Sequence, residues 1–244
     1  MLRQRLWEGF AALQVLLGGH AGPGRVIVRD GLVASVVQAA ADSPTLNAAV
    51  AIDPQAAPRH LEELRQSYEA AQIRRWGVWL DGGATSAAEQ LRRAGLQVSA
   101  SSPGMGAVLD THSSRDKPQH TDLATVGRVN DLAYGNFDGR LERTLTPLPN
   151  GVVSGYRADH DGQPAAVALA LHRNDDCGIS FVATVPDARR RGLATAVMRQ
   201  ALQDAIANGC TTTTLQATDV GERLYTNLGY HRLCEMQLWE PAPR

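Results

Sequence analysis

The sequence predicts an α/β fold arranged as two similar halves, and three observations point there. Runs of β-branched and apolar residues alternate with stretches whose apolar residues recur at three- and four-residue spacing, which is strand alternating with amphipathic helix. Glycine and proline punctuate the element ends. The order of elements in the first half then recurs in the second.

At the amino end Leu2, Leu6, Phe10, Leu13, Val15 and Leu17 fit an amphipathic helix. Arg3 and Arg5 precede an apolar stretch as in a secretory leader, but Glu8 and Gln14 interrupt it and no small-residue cleavage motif follows, so a leader is not expected. Residues 25–28, 32–37 and 48–52 read as strands, 61–73 as a helix, 76–80 as a strand and 84–94 as a helix stopped by Gly95. A polar stretch over 111–121, broken by Lys117-Pro118, reads as a linker and divides residues 1–115 from 116–244.

In the second half 152–156 and 165–171 are strands joined by the hairpin signal Asp161-Gly162, and Asn174-Asp175-Asp176 is a turn. These turns account for the metal-like Asp159-His160-Asp161 and for His172 beside two aspartates, and no metal site is expected. Residues 179–185 form a strand closed by Pro186, and 193–206 a helix stopped by Asn208-Gly209. A strand over 211–217, a helix over 219–228 ended by Gly229, and a strand over 230–239 complete the chain. The glycine-rich stretch from Gly18 to Gly24 precedes a strand, where a nucleotide fingerprint must follow one, so it is a turn.

Composition narrows the function classes. At 244 residues and 43% hydrophobic content the chain has enough apolar surface for one large domain or two of about 120. A net charge of −1 argues against a nucleic-acid partner, which would call for a basic face. Cys177, Cys210 and Cys234 are odd in number and lack metal-binding spacing, so they suit packing in a reducing, cytoplasmic compartment. No run of eighteen apolar residues is present, and no membrane association is expected. A monomer or homodimer is expected.

The stretch Arg189-Arg190-Arg191-Gly192-Leu193-Ala194 departs from a rule of helix design. A helix start presents unpaired N–H groups and the positive end of the macrodipole, so arginines there are unfavourable. Either the run is a solvated surface stretch, or it holds an anion. A phosphate-bearing ligand suits it, because glycine permits close approach to the N–H groups and arginine offers a planar fork.

With the strand before it and the helix after it, this loop resembles the hallmark of the GNAT superfamily of acyl-CoA-dependent N-acetyltransferases: Arg or Gln, two residues, Gly, one residue, then Gly or Ala. Arg189, Gly192 and Ala194 meet that pattern. The stretch from Leu224 to Tyr230 is similar to the family's helix-to-last-strand signature. The resemblance implies a mixed, mostly antiparallel central sheet with flanking helices, and two lobes in tandem. It further implies acetyl-CoA as co-substrate, with Val182, Ala183 and Thr184 along the pantetheine and Arg189, Arg190, Arg191, Gly192, Leu193, Ala194 and Thr195 around the phosphates. Tyr225 would protonate the departing thiolate, although a lone helical tyrosine can equally be a core aromatic. Thr218 stands where many relatives carry an asparagine that contacts the cofactor.

On this reading residues 116–244 form the catalytic lobe and residues 1–115 a degenerate copy, the alternative for the first half being an unrelated α/β domain. The first half has Ala57-Pro58-Arg59-His60 in place of the arginine-glycine loop, and Leu91 in place of Tyr225. The reaction implied is direct attack of a primary amine, on a small molecule or a peptide, on acetyl-CoA. The alternative is an acyl-CoA-binding module that does not turn over. The general base is unassigned, with His172, Asp175, Asp159 and the stretch 129–138 as candidates.

Overall fold

The computed structural model describes residues 1–22, 24–109, 119–149 and 151–243. The strand Gln163–Arg173 explains its layering. Ala166, Ala168 and Ala170 lie in one apolar cluster, while Val167, Leu169 and Leu171 lie in another on the opposite side. A strand apolar on both faces needs cover on both. Among the described residues, helices accordingly pack on either side of an eleven-stranded sheet.

In chain order the elements are α1 (Leu2–His20), β1 (Arg25–Arg29), β2 (Leu32–Val36), β3 (Ala48–Ala51), α2 (Ala56–Arg59), α3 (Leu61–Ala70), β4 (Gly77–Asp81), α4 (Thr85–Arg93) and β5 (Leu96–Val108). There follow β6 (His120–Thr121), α5 (Leu123–Tyr134), α6 (Arg140–Leu145), β7 (Val153–His160), β8 (Gln163–Arg173), β9 (Asp176–Thr184), α7 (Leu193–Ala207), β10 (Thr212–Gln216), α8 (Asp219–Asn227) and β11 (His231–Pro241). Helices α3, α4, α7 and α8 cover one face, and α1, α5 and α6 the other. The Asp161-Gly162 hairpin and the Asn174 turn form as the sequence predicts, with φ of +52° at Asp161 and +56° at Asn174.

The strand order is β1-β2-β3-β4-β11-β5-β10-β9-β8-β7-β6. Pairs β3–β4 and β9–β10 are parallel and the others antiparallel. The succession β1-β2-β3-α3-β4-α4-β5 recurs as β7-β8-β9-α7-β10-α8-β11, and the two sets run in opposite directions across the sheet. Their last strands are exchanged: β11 lies between β4 and β5, and β5 between β11 and β10. Trp239 of β11 is consequently buried among Leu80, Leu91 and Leu96, while Met105 of β5 is buried with Val197 and Met198 of α7. Most of the expected linker, including Lys117-Pro118 and the 115/116 boundary, lies outside the described residues.

Candidate active site

The site begins where two parallel strands part. β9 and β10 pair from Asp176 opposite Thr212 to Ile179 opposite Leu215. Threonine hydroxyls lock this paired end. Thr212 Oγ1 and Thr214 Oγ1 donate to the buried Asp176 carboxylate at 2.6 and 2.8 Å, and Thr213 Oγ1 donates to the Cys177 carbonyl at 2.8 Å. These bonds also explain why β9 starts at Asp176, earlier than the apolar pattern suggests.

Beyond Ile179 the pairing with β10 stops. The register of β9 against β8 shifts at Val167/Leu169, and Phe181 has φ +53°, a conformation that aromatic residues rarely adopt. Asn130 Nδ2 of α5 donates to the Phe181 carbonyl at 3.3 Å and holds this bulge. Ala183 and Thr184 therefore pair with β8 on one edge, Val182 lies in the bulge, and among the described residues none of the three pairs with a strand on the other edge.

The chain leaves β9 through one 3₁₀ turn, Pro186–Ala188, and enters α7 at Leu193. The start of α7 has no side-chain cap and no acidic residue in its first turn. Among the described residues, the N–H groups of residues 190–195 have no acceptor. Gly192 has φ +79°, and a Cβ built there would meet nothing within 4 Å. Glycine is needed for the left-handed backbone, and the position opens onto a cavity without crowding it. Arg189 is spent internally: Nε donates to the Thr184 carbonyl at 3.1 Å and Nη2 to the Ala133 carbonyl at 2.9 Å.

Two cavities of about 530 and 510 Å³ open on either side of the fork and share Tyr134, Val182, Thr218 and Tyr225. The first is lined by the expected Val182, Ala183, Thr184, Arg189, Arg190, Gly192, Leu193, Ala194, Thr195, Thr218 and Tyr225. Arg191 of the same expected set is exposed and stands outside this wall. The second cavity reaches the amino half at Asp42, Ser43, Thr45 and Arg75, and also meets Asn130 and Arg140.

Tyr225 is the seventh residue of α8 and is buried at 6% exposure, yet among the described residues its hydroxyl has no hydrogen-bond partner. Burial, and to a smaller degree the nearby Tyr134 hydroxyl, holds its phenol well above the ordinary tyrosine range. Thr218 caps α8, its Oγ1 accepting from the Gly221 N–H at 3.2 Å, so its own O–H remains free to donate.

The base candidates divide. His172 lies on the α7 side near Asp204, where burial lowers its pKa. Asp175 accepts from Arg5 at 2.7 Å in its turn, and Asp159 sits 3.4 Å from Arg157 at the β7–β8 hairpin. None of the three lines either fork cavity; the stretch 129–138 does, through Asn130, Ala133, Tyr134 and Asn136. The amino-half residues of the second cavity went unpredicted, because they reach it through the shared sheet and bear no local signature.

Residues 127–230 match the family model for the acetyltransferase (GNAT) family. Over its whole length the chain is similar in structure to a GCN5-related N-acetyltransferase from Kribbella flavida, with 21% identity, a TM-score of 0.69, and coverage of 99% of this chain and 96% of that one. A GCN5-related N-acetyltransferase from Sphaerobacter thermophilus is similar at 18% identity and TM-score 0.58, covering 86% and 76%. A functionally unknown conserved protein from Staphylococcus epidermidis gives 12% and 0.59, covering 89% and 94%. The mixed, mostly antiparallel sheet with flanking helices is thus a fold shared with GNAT proteins. No curated protein matches the chain.

Proposed function

We propose that this protein is an N-acetyltransferase that moves an acetyl group from acetyl-CoA to a primary amine by direct attack within a ternary complex. The observation that carries this reading is the fork itself: a strand edge at 182–184 with no neighbour among the described residues, the unengaged N–H groups of Arg190 and of residues 192–195, and the unbonded hydroxyl of the largely buried Tyr225, all on one cavity. The N–H row, with Arg190, suits a diphosphate. The edge of β9 suits the amides of a pantetheine arm and, at its inner end, offers N–H groups to a thioester carbonyl.

The chemistry then falls to the residues around the fork. The amine nitrogen bonds to the acetyl carbon as the carbon–sulfur bond breaks, and Tyr225 gives its proton to the departing sulfur. Its raised pKa keeps that proton in place until it is needed. An amine that arrives as ammonium must first lose a proton. Asp42, the carboxylate on the second cavity, is bound by Arg74 and held low, which makes it a poor acceptor and leaves solvent for that step.

The same reading makes residues 1–115 a degenerate copy of the catalytic lobe at 116–244. Leu91 is the seventh residue of α4 as Tyr225 is of α8, and it is fully buried in the core. Where the catalytic loop leaves its N–H groups free, the first half has the short helix α2, with Arg59 paired to Asp53 at 2.5 Å.

The test is acetyl-CoA consumption with thiol release across a panel of primary amines, run beside thermal stabilisation by acetyl-CoA. Turnover that Tyr225→Phe abolishes while stabilisation persists is the expected result. Stabilisation without turnover on a broad panel would make the chain an acyl-CoA-binding module, and absence of stabilisation would end both readings.

A further inference from the structure

The acceptor side of the fork has a charge pattern of its own. Resting on the reading above, the donor occupies the cavity lined by the arginine-glycine loop, so the acceptor enters through the second cavity of about 510 Å³. Two guanidinium groups stand on its wall, Arg140 at the start of α6 and Arg75 between α3 and β4.

Arg140 is held in place from behind. Its Nε donates to Asp138 at 3.0 Å, and its side chain is 30% exposed. Among the described residues, its two terminal nitrogens have no acceptor. Arg75 is similar: its Nε and Nη2 engage the largely buried Glu240 carboxylate at 3.0–3.2 Å, while Nη1 has no acceptor among the described residues. Asp42 lines the same cavity, and its carboxyl is held low by its bond to Arg74 and, to a smaller degree, by the charges of Arg140 and Arg75. Asp42 is itself taken up by Arg74. Unengaged donors on two fixed guanidinium forks are what bidentate recognition of a carboxylate or phosphate requires.

We infer that the acceptor bears an anionic group, a carboxylate or a phosphate, beside the amine that is acetylated, and that Arg140 with Arg75 reads that group. A consequence for the fold is that both halves set acceptor specificity, the amino half through Arg75 and the loop at Asp42, Ser43 and Thr45 and the other half through Arg140, while the other half alone holds the donor.

The experiment compares matched acceptors: amino acids against their amides, and amino-sugar phosphates against the free amino sugars. The anionic member of one pair should be preferred in kcat/KM by roughly ten- to a hundredfold, the range expected for hydrogen bonds to a charged group, with the difference in KM. Which pair shows it distinguishes carboxylate from phosphate. Arg140→Gln should bring the ratio close to one, and Arg140→Lys should recover part of it. Binding of N-acetylated amino acids and of N-acetylamino-sugar phosphates, each against its neutral counterpart in the presence of CoA, is measured in parallel and does not depend on turnover. A chain that never acetylates but still prefers the anionic products, and loses that preference in Arg140→Gln, would refute the catalytic reading and keep the anion site. Equal affinity for charged and neutral members, or a preference unmoved by Arg140→Gln, would overturn the inference.

Discussion

Arg189 Nη2 donates to the carbonyl oxygen of Ala133 at 2.9 Å, tying the loop before α7 to the last turn of α5. The same guanidinium reaches the Thr184 carbonyl at 3.1 Å, so one side chain fixes the separation of three elements around the fork. The arginine that best fits the family pattern therefore shapes the loop, and the N–H groups beyond it have no acceptor among the described residues. Arg189→Ala should lower stability by about 1 kcal/mol, the net worth of exposed charge-assisted hydrogen bonds. It should also weaken acetyl-CoA binding by roughly tenfold, since about 1.4 kcal/mol of loop ordering is then charged to the ligand. Thermal unfolding with and without acetyl-CoA checks this, and an Arg189→Ala protein with unchanged affinity would remove the bracing role.

Gly192 separates conformational need from ligand contact. A Cβ there meets nothing in the free protein, so Gly192→Ala is limited to the left-handed penalty of about 1 kcal/mol. Gly192→Glu adds bulk and negative charge directly over the unengaged N–H groups. Acetyl-CoA should still stabilise the alanine variant, weakly, and should not stabilise the glutamate variant at any workable concentration. Equal shifts in both would show that the ligand does not sit above this residue.

Tyr225 makes a prediction with a definite sign. Its folded-state pKa is raised, first by burial and then by Tyr134, so the phenol stays protonated through the alkaline range in which amine acceptors become free bases. The pH dependence of kcat should rise toward pH 10 with no alkaline decline from this residue; a decline centred near pH 8 that Tyr225→Phe removes would contradict the assignment. Stability follows the same sign. Tyr68, Tyr156, Tyr225 and Tyr230 are all shifted upward, chiefly by burial. Their contribution is complete below the unfolded-chain value near 10 and is lost as pH rises above it. Phenolate absorbance from these four should appear together with unfolding and not before it.

How far the sequence revealed this site depended on whether its signals were local. The strand closed by Pro186, the uncapped start of α7 and the hairpin at Asp161-Gly162 are written in adjacent residues, so they could be read directly. The bulge at Phe181 was not legible, because it depends on Asn130 reaching across from α5. Arg75 and Arg140 were missed for the same reason: the sheet brings them to one cavity from positions far apart in the chain. The exchange of β5 and β11 was hidden as well. Each of those strands reads as the natural end of its own half, and only pairing decides which neighbour it takes.

Asp176 tests the fork from its paired end. It is 6% exposed and accepts from Thr212 and Thr214, whose hydroxyls are also buried. Asp176→Ala would leave two buried donors unsatisfied, at a cost of about 1–3 kcal/mol each. The expected result is a clear fall in thermal midpoint with loss of acetyl-CoA stabilisation, while Asp176→Asn, which keeps an acceptor for one hydroxyl, falls between that variant and the parent. A folded Asp176→Ala protein with full acetyl-CoA affinity would show that the strand junction does not set the width of the opening.

The exchanged strands make a prediction about cooperativity. Trp239 belongs to the last strand of the chain but fills the core of the amino half at 1% exposure, and Met105 belongs to the amino half but lies beneath α7. Each half therefore loses a core side chain and a sheet neighbour when the other unfolds. Trp239→Ala should cost about 3–5 kcal/mol, the usual range for a large aromatic removed from a core. Because β11 is hydrogen-bonded to both β4 and β5, that loss should lower one shared transition. Calorimetry and far-ultraviolet circular dichroism should give a single, coincident midpoint for the variant and for the parent protein. Fragments covering residues 1–115 and 116–244 should show no cooperative transition apart, since β5 and β11 would each lose partners and expose sheet edges, and should regain one when mixed. A Trp239→Ala protein that melts in two steps, with the acetyl-CoA-sensitive step at its original midpoint, would mean that the halves are energetically separate despite their common sheet.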